Sequence, residues 1–140
     1  MRAARLAVSV ADARSESPLE SISQLRLDDQ GLPRPELQVD IANSAGWFVA
    51  HVDFYWPEYG VVGEADGNDK YDRRDVLVDE RRRQQDLEDL GLVVVRWEWR
   101  DLRQFEVVAR RLRAAFERDP AWRRPAVGYP DAAMTTAVLA

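Results

Sequence analysis

Residues Trp47 to Tyr71, W-F-V-A-H-V-D-F-Y-W-P-E-Y-G-V-V-G-E-A-D-G-N-D-K-Y, decide how this chain is expected to fold. Two apolar runs rich in aromatic and β-branched residues predict strands over Trp47–Trp56 and Val61–Asp66, joined by a turn at Pro57-Glu58-Tyr59-Gly60. Each run carries acids where a buried strand would avoid them: Asp53 in the first, Glu64 and Asp66 in the second. Lys70 follows, the only lysine in a chain that otherwise uses arginine for every strong base.

Alternation places Glu64 and Asp66 on one side of their strand, about 7 Å apart along it. On the preceding strand it groups His51, Asp53 and Tyr55 on one face, and Phe48, Val52, Phe54 and Trp56 on the other. Pairing across the turn then brings Asp53 near Glu64. Three carboxylates gathered on a sheet face repel unless a cation lies between them, and Mg²⁺ takes such hard oxygen ligands. An ion held this way can activate water and neutralise charge on a phosphoryl group. These residues therefore predict a Mg²⁺ site, with Mn²⁺ as a plausible substitute, at Asp53, Glu64 and Asp66. Lys70 would stabilise the phosphate under attack. Any single acid here also has a plainer explanation, because edge strands carry charges that deter aggregation.

Outward from this stretch, Ser17-Pro18-Leu19-Glu20 is a helix start, with Ser17 as cap, Pro18 at the first position and Glu20 able to complete a capping box. Leu19, Ile22 and Leu25 give that helix a stripe, and Gly31 with Pro33 ends it. Glu36–Ala42 alternates as a half-buried strand, and Asn43-Ser44-Ala45-Gly46 turns it into the next one. Residues 67–78 read as a polar loop, Asp79–Leu90 as a helix and Leu92–Trp97 as a buried strand. Leu102–Arg118 is an amphipathic helix presenting Leu102, Phe105, Ala109, Leu112 and Phe116. The expected fold is α/β, an α-β-β-β-α-β-α sandwich with a mixed central sheet. Residues 1–14 are expected to form an arm, 15–118 the domain and 119–140 a flexible tail.

With 140 residues and 46% hydrophobic content, the chain suits one globular domain. It has no cysteine and a single histidine, which excludes thiolate and multi-histidine metal centres. No apolar run approaches the roughly 20 residues of a membrane span. The short apolar start is soon interrupted by Asp12, so a cytoplasmic location is expected. A net charge of −5 excludes a strongly basic nucleic-acid coat but not a nuclease, because a carboxylate site itself lowers the count. Arginine is locally dense at Arg81-Arg82-Arg83, either a solvated helix face or a phosphate contact. Arg96, in an apolar strand, requires an acidic partner such as Glu80. His51 is expected to make local hydrogen bonds, and Trp97 and Trp99 to pack in or beside the core.

The pattern D-F-x(9)-E-x-D-G-x-x-K-Y, then E-R-R-R-x-x-x-L-x-x-L-G-x-x-V-V-R-W, resembles the very-short-patch-repair-like endonuclease domains of the PD-(D/E)xK restriction-endonuclease-like superfamily. It is similar to the domain at the C-terminus of actinobacterial abortive-infection-antitoxin-like proteins, and the likeness covers about residues 14 to 103. The resemblance implies a restriction-endonuclease-like fold and Mg²⁺-dependent hydrolysis of DNA, double-stranded by expectation, in repair or phage defence. It makes Asp53 the motif aspartate and Glu64 the acid of the E-x-D half-motif. Asp66 stands where the wider superfamily often has lysine, and Lys70 where many relatives place histidine. Glu20 matches the glutamate of the first helix and would position water. Gln38, Glu80, Arg83 and Arg96 match further recurring positions. Catalytic candidates are thus Asp53, Glu64, Asp66, Lys70 and Glu20, with Arg81, Arg82 and Lys70 as nucleic-acid contacts. The alternative is an inactive DNA- or protein-binding module with a toxin–antitoxin or defence partner.

Overall fold

The computed structural model of the chain describes residues 17–67 and 74–118. The expected arm at 1–14, the tail at 119–140 and Lys70 lie outside these residues. Among the described residues the order is α1 (Pro18–Asp29), β1 (Glu36–Ala42), β2 (Phe48–Trp56), β3 (Val61–Asp66), α2 (Arg74–Asp89), β4 (Val93–Glu98), a 3₁₀ turn (Trp99–Gln104) and α3 (Phe105–Phe116). The four strands form one mixed sheet, as expected, in the order β1-β2-β3-β4. β1, β2 and β3 pair antiparallel, and the crossover through α2 lays β4 parallel to β3. No described helix is long and apolar enough to cross a membrane.

The sheet separates two cores. On one side α1 and α3 cover Phe54, Trp56, Val61, Val95 and Trp97. On the other, Leu87 of α2 packs with Ile41, Val52, Tyr55 and Val62. The five residues predicted for the face of the last helix are all buried, although Leu102 belongs to the 3₁₀ turn rather than to α3. That turn is closed by a capping box in which Asp101 Oδ2 accepts from Glu98 N at 2.8 Å. Two indole rings press on β3 at Gly63, where a Cβ would meet Trp97 Cη2 at 2.7 Å and Trp56 Cζ3 at 3.1 Å. Trp97 is locked there by Phe54 at 5.3 Å and by Phe105 edge-on at 5.7 Å.

Three expectations require correction. The inward face of α1 is Leu19, Ser23 and Leu27 flanked by Glu20 and Gln24, whereas Ile22 and Leu25 are half-buried. Ser23 is drawn inward because its hydroxyl donates to Leu19 O at 2.6 Å and accepts from Trp97 Nε1 at 2.7 Å. Helix α2 begins at Arg74 rather than Asp79, and its first turns leave Leu77 and Val78 exposed. The third correction concerns β1 and β2, whose alternation breaks midway. Val39 and Val52 pack on the α2 side, but Leu37 and Phe54, two residues along and directly paired, pack on the α1 side. The reversal falls at Gln38, the one described non-glycine residue with positive φ, at 52°. A single left-handed residue swaps the two faces of the pleat. Tyr55 consequently shares the α2 side with Val52 rather than opposing it.

Because Trp97 is held on several sides, Gly63→Ala must displace an indole ring rather than a flexible chain end. The substitution is expected to lower unfolding free energy by about 1–3 kcal/mol, as over-packing does. Urea denaturation of the two proteins measures it, and equal midpoints would show that the seam is looser than its geometry indicates.

Candidate active site

The backbone ladder between β2 and β3 stops at Phe54↔Gly63. One residue further on the strands diverge, and the Asp53 carboxylate replaces the missing strand contact by accepting from Ala65 N at 3.0 Å. Asp53 therefore stands where the sheet opens. Glu64 lies near it, 4% exposed, as pairing across the turn predicts, and close enough for the Asp53 charge to act on it. Burial pushes the Glu64 carboxyl from 4.5 up to about 8, and the negative charge of Asp53 pushes the same way. Arg83 pulls in the opposite direction through its charge and hydrogen bond without offsetting them.

Arg83 reaches Glu64 from α2. Its Nη2 donates to Glu64 Oε1 at 2.5 Å and to the backbone carbonyl of His51. The arginine continues into a chain of charges. Nη1 of Arg83 lies 3.9 Å from Glu80 Oε2, which is 3.4 Å from Arg96 Nη2, and Arg96 Nη1 is 3.3 Å from Asp66 Oδ2. Arg96 Nε also donates to Gln84 Oε1 at 2.8 Å. Burial works against the charge on Arg96, but Asp66, Glu64 and Glu80 outweigh it and raise its pKa. The half-buried arginine thus has the acidic partner its place in the sequence demands.

These side chains meet at the end of the parallel β3–β4 pair, in an open cavity of about 460 Å³ lined by Glu20, His51, Asp53, Glu64, Asp66 and Arg83 among others. Glu20 enters from α1. Ser17 Oγ accepts from its amide at 3.2 Å, the first half of the predicted cap, while its carboxylate accepts from Gln38 Nε2 at 2.6 Å. His51 makes the expected local bonds, with Nδ1 2.6 Å from Asp40 Oδ1 and Nε2 2.6 Å from Gln38 Oε1.

Asp53, Glu64 and Glu20 are thus brought together, and Asp66 shares the cavity but is engaged by Arg96. Among the described residues no group of three or more acids and histidines is placed to hold one ion, so the expected three-carboxylate cluster reduces to the Asp53–Glu64 pair. That pair fits Mg²⁺, which uses one or two carboxylates and keeps several waters. Arg81 and Arg82 are exposed, with Arg81 bordering a separate groove beside Leu77 and Gln84. Arg83 has a larger role than composition suggests. It looks like its neighbours in the triplet, yet it lies one helical turn before the buried Leu87, and that phase turns it to the sheet. Trp97 is core as expected, but Trp99 is 43% exposed at the cavity rim.

No family model and no solved structure matches the chain. Two uncharacterized proteins of Mycobacterium tuberculosis, one from strain CDC 1551 / Oshkosh and one from strain ATCC 25618 / H37Rv, are each 35% identical to it over 95 residues. That stretch covers 66% of this chain and 34% of each relative, so the chain spans about a third of the length of the curated relatives it matches.

A carboxyl raised to about 8 in the folded chain binds a proton that the unfolded chain, at 4.5, has released. Its contribution to stability is present below pH 4.5 and is lost as pH rises through 8. Glu64→Gln removes this dependence. The variant is expected to gain thermal stability relative to the parent between pH 5 and pH 8.5, measured without divalent ions. A constant difference across that range would contradict the assignment.

Proposed function

We propose that this chain is a Mg²⁺-dependent endodeoxyribonuclease domain of restriction-endonuclease-like architecture. The observation that carries the reading is the Asp53–Glu64 pair, one acid at the divergence of two strands and the other buried beside it. The α-β-β-β-α-β-α order and the mixed sheet are compatible with it. A bound divalent ion would supply activation of water and neutralisation of phosphoryl charge. Asp53 and Glu64 would hold that ion. Glu20, on the facing helix, would orient the attacking water. Arg83 offers a guanidinium inside the cavity for a phosphate oxygen, a function the sequence suggested for Lys70. Arg81 and Arg82, exposed on α2, would meet flanking phosphates. Asp66 serves first as the counter-charge of Arg96.

One observation favours a second reading, a DNA- or protein-binding module without catalysis in a defence or toxin–antitoxin setting. The acids at Glu64, Glu80 and Asp66 are already matched by Arg83 and Arg96, so much of the site is internally compensated. The purified protein should be offered single-stranded, double-stranded, nicked and mismatched DNA with Mg²⁺ or Mn²⁺. Nuclease function predicts metal-dependent nicking or cleavage that falls by at least about 100-fold in Asp53→Ala, the several kcal/mol a metal contributes to charge stabilisation. DNA binding without cleavage, unchanged in Asp53→Ala, would support the second reading instead.

A further inference from the structure

Gln38 combines an unusual backbone with an unusual set of partners. It holds the left-handed φ of 52° that reverses the pleat of β1, and its neighbours Leu37 and Val39 pair with Phe54 and Val52, on either side of Asp53. Leu37 packs on the α1 side of the sheet, and the Gln38 side chain goes to the same side, where Nε2 donates to Glu20 Oε2 at 2.6 Å. Neighbouring residues of a regular strand cannot both do this. The amide is also fixed in orientation. A carboxylate only accepts, so the nitrogen must face Glu20, and the oxygen then faces His51 Nε2 at 2.6 Å. His51 is tied in turn to Asp40 at 2.6 Å. Glu20 is 6% exposed on a helix face that is otherwise largely apolar or engaged in the core, and it borders the cavity that contains Asp53 and Glu64.

We infer that Gln38 is a positioning residue: its left-handed backbone turns the amide toward α1, and the amide, steadied by His51, aims Glu20 into the cavity. This inference rests on the nuclease reading. Strained backbone at such a place is retained where the surrounding structure uses it. Two uses compete here, because the left-handed residue could serve only to kink the sheet.

Glycine separates the two. Gln38→Gly keeps the left-handed backbone at no steric cost and deletes the amide. Gln38→Asn also tolerates that backbone, but its amide is one methylene too short to span Glu20 and His51. Both variants are expected to be at least as stable as, or only slightly less stable than, the parent, and to bind Mn²⁺ with unchanged affinity in calorimetry. Cleavage should nevertheless fall by about 100-fold in kcat with KM unchanged, the effect of a misplaced catalytic group. Full kcat in both variants would show that Gln38 serves the backbone alone and overturn the inference. Loss of stability in parallel with kcat would overturn it too, by making the amide a support of the fold. If the parent protein cleaves no DNA with either metal, the nuclease reading itself fails, and the positioning role goes with it.

Discussion

The arrangement depends on one electrostatic conflict: a carboxyl at Glu64, almost wholly removed from water, set against the carboxylate of Asp53. Burying a charge beside a like charge is costly, and two devices limit the cost here. Glu64 retains its proton to about pH 8, and Arg83 donates a charge-assisted hydrogen bond to it. Much of the surrounding design follows. α2 must run close to the sheet for Arg83 to reach Glu64, and Glu80 and Arg96 carry the alternation of charge onward to Asp66. A fold concerned only with stability would gain by placing apolar residues at these positions, since replacing buried ion pairs with apolar groups is often neutral or favourable. The acid pair at the opening of the sheet is the feature on which the proposed site rests.

The sheet is shaped to present that pair. β2 and β3 diverge after Phe54, where the side chain of Asp53 takes over the hydrogen bond to Ala65. Behind the opening, Gly63 lets the rings of Trp97 and Trp56 close over the strand, so the core beneath the site is rigid aromatic packing. The reversal at Gln38 sends Phe54 into this core while Val52 enters the other, which leaves Asp53 at the change of face. Helices α1 and α2 then supply Glu20 and Arg83 from opposite sides of the sheet.

Much of this was legible in the residues. Turn chemistry at Asn43–Gly46 and Pro57–Gly60 fixed the strands, and the E-x-D spacing with Asp53 across the turn located the acid pair. What escaped did so for physical reasons. The reversal at Gln38 leaves no compositional trace, since glutamine is not a residue that advertises a left-handed backbone, and the simple alternation of β2 therefore misplaces Tyr55. The start of α2 is missed because Leu77 and Val78, the apolar residues that would mark it, are exposed. Arg83 is indistinguishable from Arg81 and Arg82 by type, and only its phase relative to Leu87 selects it. Asp66 lies on the face that alternation assigns it, yet Arg96, which pairs with Glu64 on the neighbouring strand, claims its charge.

The central claim is that Asp53 and Glu64 together hold a hard divalent ion. Anomalous diffraction from a crystal soaked in Mn²⁺ tests it most directly, because the metal's position is read without reference to activity. The account predicts one peak between the two carboxyl groups at about 2.0–2.2 Å from an oxygen of each, close to the distance typical of Mg²⁺. A crystal that binds Mn²⁺ elsewhere, or not at all while Arg83 remains on Glu64, would contradict it.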